Sequence, residues 1–132
     1  MIRTALAAAA LLAPASATAA EAALPAEPWP KAVACSAYLF VASENLKAAK
    51  SGQYDKRAGW RLNTIRGSWY AVAQAQPEYS ADRFSSEMSA YIQGPLGPGA
   101  EALTEDARVA NMKACISDGV KAEFEAREKP GK

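Results

Sequence analysis

Apolar residues in this 132-residue chain recur at intervals of three and four, and no alternating run of β-branched residues competes with that pattern, so the sequence predicts an all-α fold. The spacing draws four amphipathic segments. In the first, Cys35, Leu39, Ala42, Leu46 and Ala49 form one stripe, with Pro30 suited to the opening turn and Ser51-Gly52 closing the helix, Gly52 as the left-handed cap. The second runs from Asp55 as N-cap to Gln76, where Pro77 stops it, and Leu62, Ile65, Trp69 and Val72 mark its inward face. Gly67 weakens this helix by about 1 kcal/mol relative to alanine, which predicts that another helix crosses close to it.

Ser80 caps a third helix, with Asp82 in its first turn and Phe84, Met88, Tyr91 and Ile92 on its buried side. Residues 94–99 hold three glycines and two prolines and read as a connector. The fourth helix starts at Ala100 or Thr104, continues to about Glu128, and carries the stripe Val109, Met112, Ile116, Val120 and Phe124, with Cys115 beside it. Connections of a few residues favour antiparallel neighbours. The expected architecture is therefore a small four-helix bundle of the up-and-down type.

The N-terminus carries an export signal. Arg3 supplies the positive end, residues 5–13 with Leu6, Leu11 and Leu12 an apolar core, and Pro14 a break before small residues that place cleavage after Ala17, Ala19 or Ala20. The apolar run is far shorter than the ~20 residues needed to span a bilayer, so it predicts no stable membrane anchor after cleavage. Prolines at 25, 28 and 30 then predict an extended linker. The chain divides into a signal peptide (1–20), a linker (21–30), one helical domain (31–129) and a frayed tail (130–132). Alanine-rich composition points to a bacterial periplasm as the compartment.

In an oxidising compartment the two cysteines, Cys35 and Cys115, are expected to pair and staple the first helix to the last. Residues 32–35 loosely resemble a lipidation site, but Glu21, Glu27, Trp29, Pro30 and Lys31 separate Cys35 from the apolar run, and the disulfide reading is preferred.

Composition excludes several chemistries. The chain contains no histidine, which removes Ser-His-Asp and Cys-His catalysis, c-type haem attachment and nearly all zinc sites. No catalytic, metal or cofactor site is expected, and the carboxylates Glu101, Glu105, Asp106 and Asp118 read as ordinary helix-surface acids. Without Arg3 the chain has 14 basic and 14 acidic residues, a balance that points away from nucleic acid.

One polar cluster remains. Arg57 and Arg61 stand one turn apart beside Trp60 on the second helix, the residue types that anchor protein interfaces. The sequence therefore predicts a non-enzymatic envelope protein that binds another protein through Arg57, Trp60 and Arg61. The plainer reading is that these arginines answer the fourth helix, which carries seven acids and five bases over residues 101–129. An alternative function is binding of a small apolar or anionic ligand between helices, lined by Tyr38, Trp69, Met88 and Met112.

Overall fold

The computed structural model describes residues 23–48 and 56–128, so the expected export signal and cleavage region at Ala17, Ala19 and Ala20, the caps expected at Gly52 and Asp55, and the expected tail lie outside the described residues. Four helices follow in chain order: α1 (Pro28–Ala48), α2 (Lys56–Gln74), α3 (Ala81–Gln93) and α4 (Glu105–Glu128). No strand occurs among the described residues. The chain is an all-α bundle with a disulfide between Cys35 and Cys115, whose Cα atoms stand 5.3 Å apart.

α1 is the hub of the bundle. It packs on all three other helices, while α2 also packs on α4. Every residue from Ala32 to Leu39 is buried, over two turns with no outward face. The sequence makes this possible because Ala32, Ala34, Cys35, Ser36 and Ala37 are small and let three neighbours approach the backbone, whereas Tyr38 and Leu39 fill the gaps. The single stripe expected for this helix is thus too narrow.

α1 also begins earlier than expected. Helical bonding starts with Lys31 N donating to Glu27 O, and Pro28 and Pro30 both sit in the first turn, where no intrahelical N–H is needed. The expected linker is therefore anchored at its C-terminal end. Trp29 is buried there, with its ring edge-on to Tyr79 and Phe84 at centroid distances of 6.4 and 6.1 Å. Its Nε1 donates to Glu87 Oε1 at 2.8 Å, and Arg83 donates to the other oxygen of that carboxylate at 2.6 Å.

Specific pairs fix the registers. Lys31 with Asp118 (2.7 Å), Cys35 with Cys115, and Asn111 donating to the Tyr38 hydroxyl (3.0 Å) join α1 to α4 in opposed directions. Arg61 with Glu123 (3.1 Å) and Trp69 Nε1 donating to Cys115 O (2.9 Å) join α2 to α4, again opposed. Arg66 over Phe40 and Lys31 over Trp69 set an opposed α1–α2 pair. Three collinear rods cannot all oppose one another, so these helices cross obliquely.

The α2–α4 crossing lies at Gly119, not at Gly67. A Cβ at Gly119 would stand 2.5 Å from Ile65 Cγ2 and 2.8 Å from Trp69 Nε1, whereas a Cβ at Gly67 would meet nothing within 4 Å. The buried face of α4 is accordingly Asn111, Cys115 and Gly119. Met112, Ile116 and Val120 flank that face half-buried, while Val109 and Phe124, expected in the core, are exposed. The expected stripe was displaced because the closest contact is made by small residues that apolar periodicity does not weigh.

Ser80 caps α3 as expected, its side chain accepting from Arg83 N at 3.1 Å, and Gly94 N closes the helix on Ala90 O. Thr104, not Ala100, opens α4 by accepting from Ala107 N at 3.2 Å. The glycine- and proline-rich connector is pinned between them: Leu103 N donates to Pro95 O, and Arg108 donates to Gly97 O.

Candidate interaction face

The two tryptophans of α2 separate cleanly. Ile65, Trp69 and Ala73 face the core, with Trp69 only 4% exposed, while Trp60 is 66% exposed. Nine residues at 100° each make a rotation of about 180°, so the two rings leave opposite sides of α2, and the side that carries Trp60 faces water. Arg57, exposed, lies one turn before Arg61, and Trp60 stands on the same side of the helix.

Arg61 serves the bundle as well as the surface. Its guanidinium meets Glu123, whose side chain is largely covered and also accepts from Arg127 at 2.9 Å. The answer of α2 arginines to α4 acids is thus realised at Arg61. The same bridge ties Trp60, one residue before Arg61, to the end of α4 that carries Phe124, which is 53% exposed. Beside them runs a mostly apolar groove of about 640 Å³, lined by Leu46 of α1, Ala58, Arg61, Leu62 and Ile65 of α2, and Ile116 of α4. Phe124 was missed as a surface residue. Its neighbours Glu125 and Arg127 are the signal that could have placed that turn at the surface.

The four residues expected to line an interhelical ligand site are not brought together. Tyr38 and Met112 border a groove of about 550 Å³ with Arg108 and Lys113 at its rim. Met88 borders a different pocket, and Trp69 is buried with its N–H committed to Cys115 O. Tyr38 is also committed, accepting from Asn111 and meeting Tyr91 edge-on at 5.8 Å. Burial pushes the Tyr91 hydroxyl well above the usual phenol range, and its hydrogen bond with Tyr38 adds to the shift.

Among the described residues no cluster of three potential metal ligands occurs, and no helix is long and apolar enough to cross a membrane. No protein family, curated protein or solved structure matches the chain.

Proposed function

We propose that the chain is exported to the periplasm, loses its first 17–20 residues, and acts there without catalysis as an accessory protein that docks another protein through Arg57, Trp60 and Arg61. The observation that supports this reading is the exposure of Trp60. A tryptophan ring held in water has no folding role to explain it, and flanked by two arginines it has the composition of an interface anchor. The disulfide suits an oxidising compartment.

Arg61 also holds Glu123, so the cleaner probes are Trp60→Ala and Arg57→Glu. Tagged protein recovered from the periplasm carries a stoichiometric partner detectable by native mass spectrometry, and each substitution reduces its yield at least tenfold while the melting temperature is kept. Equal recovery by wild type and both variants, or no partner with wild type, refutes the docking role. N-terminal sequencing of the envelope protein tests export separately, and an intact Met1 overturns it.

A further inference from the structure

The groove beside Trp60 and the groove bordered by Tyr38 and Met112 share Ala42 and Asn45 of α1, so the two join into one slot along the second half of that helix. Its walls are the first halves of α2 and α4. Arg61 of α2 pairs with Glu123 near the end of α4, whereas the first half of α4 follows α1 through Asn111 and Tyr38, so the walls diverge and leave α1 uncovered between them. The surface so opened is apolar. Leu46, Leu62, Met112 and Ile116 are only half-buried along it, and Val109 is 44% exposed. From Tyr38 to Leu46 the floor runs about 12 Å, enough for two turns of a helix, over which apolar side chains at i, i+3 and i+7 span about 10.5 Å.

The rims are basic. Lys113 makes no ion pair among the described residues, and Arg108 donates to the neutral Gly97 O, with Glu105 the acid beside them. On the opposite wall α2 carries Lys56, Arg57, Arg61 and Arg66 and no acid, with Lys56 and Arg57 in the first turn, where the helix dipole disfavours positive charge. We propose, on the docking reading above, that the slot seats an acidic amphipathic helix of the partner protein, its apolar stripe on α1 and its flanking carboxylates against Lys113 and Arg108 on one side and Arg57 and Arg61 on the other. A second copy of this chain fits less well. Two such slots meeting about a twofold axis would set basic rims against basic rims.

The probe is an acetylated, amidated peptide of about 15 residues with leucine at i, i+3 and i+7, glutamate flanking that stripe and alanine elsewhere, titrated into the disulfide-bonded mature protein and followed by amide NMR. Saturable shifts are expected at Ala42, Met112 and Ile116, and the same peptide with lysine for every glutamate binds at least about tenfold more weakly. Lys113→Glu and Val109→Glu, both at exposed positions, each weaken the glutamate peptide at least about fivefold with the melting temperature kept, and Lys113→Glu strengthens the lysine peptide. No shift in the slot up to about 1 mM peptide, equal binding of the two peptides, or binding undiminished by Lys113→Glu overturns the proposal. So does a dimer of this chain that Val109→Glu dissolves, which would make a second copy the occupant. In the pull-down, a partner lost with Trp60→Ala but kept by Val109→Glu and Lys113→Glu overturns the slot and leaves the docking reading standing, whereas slot-dependent peptide binding with no recovered partner overturns the docking reading alone.

Discussion

One substitution made at two helical glycines should move stability in opposite directions. At either position alanine gains about 1 kcal/mol of helix propensity. At Gly67 nothing opposes that gain, because the added methyl meets no atom within 4 Å, so Gly67→Ala is stabilising by up to ~1 kcal/mol. At Gly119 the methyl would stand 2.5 Å from Ile65 Cγ2 and 2.8 Å from Trp69 Nε1. Carbon atoms pack at about 3.5–4.0 Å, so α2 must retreat by roughly 1 Å, and overpacking of that kind costs about 1–3 kcal/mol. The retreat also stretches the 2.9 Å bond from Trp69 Nε1 to Cys115 O. Leaving that buried N–H unsatisfied adds about 1–3 kcal/mol. With the propensity gain subtracted, Gly119→Ala destabilises by about 3 kcal/mol, or roughly 12 °C in melting temperature for a domain near 100 residues. Urea titration of the oxidised protein, followed by circular dichroism and tryptophan fluorescence, measures both. Shifts of the same sign, or a Gly119→Ala variant as stable as wild type, would refute the placement of the crossing.

Replacing both cysteines by serine releases a loop of about 80 residues and should cost about 4.5 kcal/mol, seen as a large fall in urea midpoint that dithiothreitol reproduces in the wild type; an unchanged midpoint counts against the bridge as a staple. The Glu87 carboxyl is held below its ordinary range, first by Arg83 and then by the Trp29 N–H. A carboxylate with a depressed folded pKa contributes stability that is present above its unfolded pKa and is lost as pH falls through the folded value. Stability should therefore drop as acid takes the pH below the ordinary glutamate range, and Glu87→Gln should flatten that limb; an identical acid limb in the variant sinks the assignment. Of the three tryptophans only Trp60 is exposed, so iodide should quench one accessible component, which Trp60→Phe removes while changing stability by less than about 0.5 kcal/mol.

The helices of this fold were legible because their periodicity and capping chemistry agree. Ile65 and Trp69 of α2 were placed inward by spacing alone, and Ser80 was read as a cap from its type and position. The closest packing was not legible. Helix crossings here are made by Ala32, Ser36 and Gly119, residues whose apolar surface is small and whose role is to let backbones approach, so a reading weighted by large apolar residues put the α4 face one position off and the α2 crossing at the wrong glycine. Prolines misled at α1 for a different reason. The restriction on the residue before a proline is a bias, and the buried Trp29 ring with its hydrogen bond to Glu87 outweighs it.

What folding demands of α2 separates its two tryptophans. Once Ile65 and Trp69 fix the core side of α2, the helix geometry sends Trp60 to the opposite side whatever the rest of the bundle does. Selection for folding can act on Trp69, which fills the core and donates to Cys115 O, but has no hold on Trp60, whose replacement by a polar residue would leave the core and the disulfide unchanged. Gly67 presents the same logic inverted: folding favours a side chain there, and the chain carries none. A residue that folding does not require and one that folding disfavours thus stand on the same helix, and on the docking reading proposed above Trp60 is the one kept for a partner.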